Sequence, residues 1–280
     1  MAIIPSEFVK TYAPWSNSKA DCLKQCPYQF HLKYIVKTKR PSNFDARLGL
    51  AVHQAVEFAL TGRSVAMSIK FAADEHNLTT VEYESAQLFS SAIDSFITKF
   101  NAYRTKFGTS EPKTEQQWAI GWDGKPIKYF DNSGFIRGVV DLYITKNGGT
   151  EAVIIDHKTG KRRDLKNYQR AFDIYMMLAK AHTPSIVGVK LAINFLKEDT
   201  VEFVKGLQDV RDIQPIIDRT MEHLNTISKD VNLQETRRSP LCKWCDYFRE
   251  CPAHEGNVNG KEQKDRADAG TVVEGVEPAW

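Results

Sequence analysis

The chain has 280 residues, enough for one large domain or two small ones with a sizeable core, and its apolar and charged fractions are those of an ordinary globular protein. No stretch is long and apolar enough to span a bilayer, and MAIIPSEFVK lacks the basic start and apolar run of a signal peptide, so a cytoplasmic protein with no membrane partner is expected. A net charge of +3 permits a polyanionic partner without demanding one.

In chain order, 16–34 reads as a helix with a polar start, SNSKAD, and an aromatic and aliphatic face. Residues 44–60 read as a second helix, and 85–107 as a long amphipathic third, with Leu88, Ile93, Phe96, Ile97 and Phe100 near helical spacing. The pattern then changes to strands over 117–122, 135–145 and 152–157, separated by Gly, Asp and Asn turns. A helix over 164–180, a strand over 187–195, a pairing hairpin strand over 202–205 and a helix over 210–228 follow. From residue 255 the composition is polar and poor in large apolar residues, which predicts a single domain over 1–255 and a disordered tail over 256–280. The element order is that of an α/β protein, a mixed sheet flanked by helices, with an N-terminal helical cap.

Within IIDHKTGKRR, Asp156 and Lys158 lie two apart and so project from the same face of a strand, with His157 on the other. The preceding strand ends GVVD; if the two strands are neighbours, Asp141 meets Asp156, and paired carboxylates make a hard oxygen site suited to Mg²⁺ or Mn²⁺. Asp-x-Lys by itself more often marks a strand end with exposed charges and a salt bridge. His53 lies in GLAVHQAVE with Glu57 one helical turn on. Basic residues cluster at Lys33, Lys37, Lys39 and Arg40, and again at Lys161, Arg162, Arg163, Lys166 and Arg170; such clusters gain meaning beside a catalytic site.

GLAVH, GVVD, IIDHKTG and a tyrosine-bearing helix, in this order, resemble the RecB-type branch of the PD-(D/E)XK nuclease superfamily, over roughly residues 16–251. The resemblance implies the restriction-endonuclease-like core of that superfamily. It implies that His53, Asp141 and Asp156 hold a divalent metal with the backbone carbonyl of His157, and that Lys158 is the catalytic lysine. Glu115, in KTEQQW, is a weaker candidate for the acid often found ahead of the sheet. The family's Gln-x-x-x-Tyr departs here: with Tyr175 aligned, Ala171 takes the glutamine place, and Gln169 comes two residues early. Tyr175 and Gln169 are carried forward as DNA contacts, with Lys161, Arg162 and Arg163 gripping phosphates and Tyr168 stacking on unpaired bases.

The five cysteines are Cys22, Cys26, Cys242, Cys245 and Cys251. In a reducing compartment they are not expected to form structural disulfides. Cys242, Cys245 and Cys251 read C-x2-C-x5-C, one ligand short of a closed site, and Cys26 can supply the fourth. The Cys-Pro pairs at 26–27 and 251–252 are similar to those of RecB-like iron–sulfur nucleases, the AddB-like and CRISPR-associated exonucleases. Four thiolates suit a 4Fe–4S cluster and equally Zn²⁺; the resemblance favours iron. Cys22 is read as a spare thiol.

The expected function is a metal-dependent DNA exonuclease acting on single-stranded ends, the substrate being given by resemblance alone. Its rival is an inactive or accessory DNA-binding subunit of a recombination or helicase complex. No Walker A loop is present, so a motor would be a separate chain.

Overall fold

A computed structural model describes residues 3–254; the tail expected over 256–280 lies outside the described residues. The chain divides into two compact units, Met1–Lys24 with Ser42–Val231, and Gln25–Pro41 with Asn232–Trp280.

Near the N-terminus stand α1 (Glu7–Thr11) and α2 (Asn17–Gln25). The single helix expected over 16–34 is broken at Pro27, which has no N–H to donate and drives the residue before it to extended backbone; Cys26 sits at φ −158°, ψ 111°. The short α3 (Pro27–Phe30) and a π-helical turn, His31–Ile35, follow in the second unit.

The helical layer of the first unit is α4 (Phe44–Leu60), α5 (Val65–Glu75), α6 (Thr80–Gln87) and α7 (Ser90–Phe107). Helix α4 starts where Asn43 accepts from the Ala46 N–H and buries Ala51, Val52, Ala55, Val56 and Ala59 along one stripe. The sequence reading missed α5 and α6 and started α7 five residues early. Their signals were present: Ser64 caps α5, and Thr79 with Glu82 forms a reciprocal capping box at α6.

Among the described residues the sheet has seven strands: β1 (Lys113–Ile120), β2 (Pro126–Ile127), β3 (Ile136–Lys146), β4 (Glu151–Lys158), β5 (Gly188–Phe195), β6 (Thr200–Phe203) and β7 (Gln208–Asp209). Their order is β2-β1-β3-β4-β5-β6, with β7 also pairing β5. Only β4 and β5 run parallel, and α8 (Gln169–His182) makes the crossover between them. The sheet is therefore mixed, as expected, and β5 with β6 forms the expected hairpin. Helix α9 (Gln214–Ser228) opens at Pro215, with Asp212 accepting from the Gln214 N–H, four residues later than the sequence suggested.

Both faces of the sheet are covered, which is why β4 is buried at six consecutive positions. On one face Ile93, Phe96 and Phe100 of α7 and the alanine–valine stripe of α4 pack on Leu142, Ile144, Val153 and Ile155. On the other face α8 lies against β3 at Gly138, where an added Cβ would meet Leu178 Cδ1 at 3.0 Å. The glycine of GVVD thus lets the helix bearing Tyr175 approach the strand bearing Asp141.

In the second unit, backbone and side-chain ties join segments far apart in sequence. The Tyr28 N–H donates to Glu235 O (3.0 Å), the Tyr247 hydroxyl to Thr38 O (3.1 Å), and Arg40 pairs with Glu250.

Candidate metal-dependent active centre

Strand alternation puts Asp156 and Lys158 on one face at the end of β4, where they form an ion pair. The β3–β4 register pairs Leu142 with Ile155, so one step on brings Asp141 opposite Asp156. Asp141 Oδ2 accepts the His157 N–H at 2.7 Å, which closes the ladder with a side chain. The register thus sets the two carboxylates at one level on neighbouring strands. From α8, the Tyr175 hydroxyl donates to Asp156 Oδ1 at 2.6 Å. From α4, His53 Nδ1 lies 3.4 Å from Asp141 Oδ2.

Strand β1 adds Glu115. The flanking pairs Thr114–Leu142 and Gln116–Val140 place it opposite Asp141. Its φ is +47°, a left-handed conformation uncommon for a side chain of this kind and found at sites the surrounding structure over-determines. Ligand atoms of His53, Glu115 and Asp141 lie within 4.8 Å of one another, the one such triplet among the described residues. Glu115, the weaker candidate in the sequence, is thus a member of the triplet. Asp156, expected as a ligand, lies beside the triplet and is hydrogen-bonded by Tyr175 and paired with Lys158. Glu57 accepts from the Thr114 hydroxyl at 2.9 Å, next to Glu115.

The electrostatics follow from this crowding. Burial and the negative charges of Asp141, Glu57 and Asp156 raise Glu115 to about 7. Burial and Asp156 likewise raise Asp141, against the opposing pull of His53 and Lys158. Burial works to lower Lys158, but Asp156 and Asp141 outweigh it and hold the amine above its ordinary value. Lys158 is therefore an ammonium. The buried His157 ring, close to Phe96 and His53, is pushed well down by burial and by the neighbouring positive groups, so it is neutral. Asn194 Nδ2 lies 3.0 Å from His157 Nδ1, which makes Nδ1 the acceptor and puts the ring proton on Nε2. Four carboxyl groups facing one ammonium form a site with a deficit of positive charge. Hard oxygen donors with one imidazole fit Mg²⁺ or Mn²⁺.

The residues carried forward as DNA contacts divide. Lys161, Arg162 and Arg163 are exposed beyond the end of β4, with Arg162 paired to Glu202. Tyr168 is half-buried, its ring near Phe172 and Phe195. Gln169 begins α8 and donates to Asp173 at 3.1 Å. Tyr175 is buried and turned to Asp156 rather than to a surface.

In the second unit, Cys26, Cys242, Cys245 and Cys251 line one cavity with Arg237, Arg238 and Phe248. All five cysteines are free thiols. Burial, with the neighbouring Cys26, Asp246 and Cys251, raises Cys245 to about 11. The Ser239 N–H donates to Cys242 Sγ at 3.2 Å. Cys22 belongs to the first unit, buried in α2.

The family model of the PD-(D/E)XK nuclease superfamily matches residues 14–252. The chain belongs to that superfamily. Members are typically nucleases that use divalent metals, and the triplet around Asp141 is a candidate site for one. No curated protein matches the chain. Among solved structures it is similar to the crystal structure of SSO0001, at 16% identity and a TM-score of 0.33, covering 81% of this chain and 94% of that one. That likeness is too distant to bear on function. No helix among the described residues is long and apolar enough to cross a membrane.

Proposed function

We propose that this chain is a cytoplasmic RecB-like exonuclease that degrades DNA from single-stranded ends with Mg²⁺ or Mn²⁺ and carries a structural 4Fe–4S cluster. The observation that carries the nuclease reading is the convergence of His53, Glu115 and Asp141 beside the Asp156–Lys158 pair.

A divalent cation held by His53, Glu115 and Asp141, with Asp156 and the His157 carbonyl available as further ligands, would polarise a phosphoryl oxygen and acidify a bound water. Lys158, paired with Asp156, stands where its ammonium can neutralise charge that develops on the phosphoryl oxygens. Tyr175 holds the Asp156 carboxylate in place through its short hydrogen bond. The exposed Lys161, Arg162 and Arg163 take the phosphates that follow, and Tyr168 and Gln169 stand at the start of α8 to meet the bases.

Cys26, Cys242, Cys245 and Cys251 line one cavity, and four thiolates suit a 4Fe–4S cluster or Zn²⁺; the Cys-Pro pairs at 26–27 and 251–252, similar to those of RecB-like iron–sulfur nucleases, support the iron reading.

The deciding experiment digests end-labelled linear and circular DNA, single- and double-stranded, with Mg²⁺, Mn²⁺ or EDTA. Metal-dependent loss of linear single strands with intact circles is expected. Cut circles would overturn the exonuclease reading. Binding without cleavage of any substrate would make the chain an accessory subunit, and co-purification with a helicase would identify its motor.

A further inference from the structure

Charge is distributed unevenly between the two units. Residues 25–41 and 232–254 carry eight Lys and Arg against three Asp and Glu, a net +5. Residues 1–24 and 42–231 carry 27 Lys and Arg against 26 Asp and Glu, a net +1. The described part of the small cysteine-bearing unit is therefore the more positively charged of the two.

The structure brings part of this charge together. The Tyr247 hydroxyl on Thr38 O, and the Arg40–Glu250 pair, fasten the segment around Lys37 and Lys39 to the turn that carries Arg249. Lys37, Lys39 and Arg249 are all exposed, and Lys37 sits at φ +58°, in the left-handed region. Lys243 is exposed too, its ammonium 4.1 Å from the centre of the Trp244 ring, which is itself 50% exposed. Exposed cations interleaved with an accessible indole are the chemistry of single-stranded nucleic-acid binding, in which phosphates meet the charges and a base stacks on the ring.

We propose that the cysteine-bearing unit is a second DNA-contact surface, with Lys37, Lys39, Lys243 and Arg249 on the phosphate backbone and Trp244 against an unpaired base. This rests on the reading of DNA as the substrate, and it is separate from the run at Lys161 to Arg163. The cysteine centre then shapes a substrate-holding surface as well as tying two chain segments together.

The test uses the full chain with Lys37, Lys39, Lys243 and Arg249 all changed to Gln, beside a charge-keeping variant in which the lysines become Arg and Arg249 becomes Lys. Affinity for labelled oligothymidylate is measured in EDTA across a salt series. Losing four phosphate contacts on a single strand should make the log–log salt slope shallower by about 3. At fixed salt the affinity should fall by roughly tenfold to a hundredfold. KM for cleavage should rise while kcat at saturating DNA stays unchanged, and the charge-keeping variant should match wild type. An unchanged slope and KM in the Gln variant would overturn the proposal, as would an equal loss in the charge-keeping one. If wild type binds with the expected slope shift but cleaves nothing in any metal, the nuclease reading fails while this surface stands.

Discussion

Lys158 lies between burial, which disfavours its charge, and two carboxylates, which enforce it. The carboxylates win, so the residue serves as a fixed cation. Lys158→Ala is expected to lower the cleavage rate by about a hundredfold to a thousandfold without unfolding the protein, as for other lost transition-state charge stabilisers. Cleavage within about tenfold of wild type would remove the lysine from the reaction. Tyr175→Phe leaves Asp156 Oδ1 without its donor. A buried group so deprived costs about 1–3 kcal/mol, to be read as a lower denaturation midpoint with unchanged far-UV circular dichroism. Glu115 gives a pH signature. Its carboxyl is raised from the usual 4.5 to about 7 in the fold, so the metal-free folded state binds more protons than the unfolded chain in that window. Stability must therefore fall as pH rises through it. Glu115→Gln should flatten this dependence in thermal melts in EDTA and raise the melting temperature at pH 8. Added Mn²⁺ should stabilise wild type more than the variant, since the variant loses a ligand. A pH profile unchanged by Glu115→Gln would show that Glu115 is not the strained acid of the site.

At the level of elements, the centre depends on five backbones meeting: β1, β3 and β4 through register, α4 bearing His53, and α8 through close packing. Gly138 controls the last of these, because any side chain there meets Leu178. Gly138→Val should cost about 1–3 kcal/mol by overpacking. Because α8 also carries Tyr175, cleavage should drop more than the stability loss explains at a temperature where the variant is fully folded. Full activity in a stably folded Gly138→Val protein would uncouple α8 from the site. Elements were legible where periodicity was long and unambiguous: α4 begins and ends where the pattern does, and β3, β4 and β5 fall within a residue of expectation. Helices α5 and α6 were missed because they are short and weakly patterned, although their serine and threonine caps marked their starts. The break at Pro27 was overlooked because the apolar face continues across it.

At the scale of the whole molecule, the segments bearing Cys26 and Cys242 are brought together by long-range ties in the second unit. A cross-link that closes so long a loop has an entropic scale of roughly 5 kcal/mol, comparable with the net stability of a domain. Freshly purified protein should be brown, and Cys26→Ser should bleach it and lower stability sharply, whereas Cys22→Ser should do neither. Iron, zinc and acid-labile sulfide assays after anaerobic purification check the assignment. Stoichiometric zinc without sulfide would sink the cluster while leaving the four-cysteine site standing.

The sequence by itself determined the α/β class, the superfamily resemblance and the shared strand face of Asp156 and Lys158. These rest on local periodicity and on spacing within strands, both of which are written along the chain. Only the tertiary structure decided which side chains complete the centre. Glu115 enters through strand register and an unusual backbone angle, Tyr175 turns inward because α8 packs closely at Gly138, and Asp156 is engaged by its neighbours. The same holds for the basic residues of the cysteine unit: Lys37 and Arg249 are some two hundred residues apart and become neighbours through the Tyr247–Thr38 and Arg40–Glu250 ties. Contacts between residues far apart in sequence leave no periodic trace, so they appear only when the chain has folded.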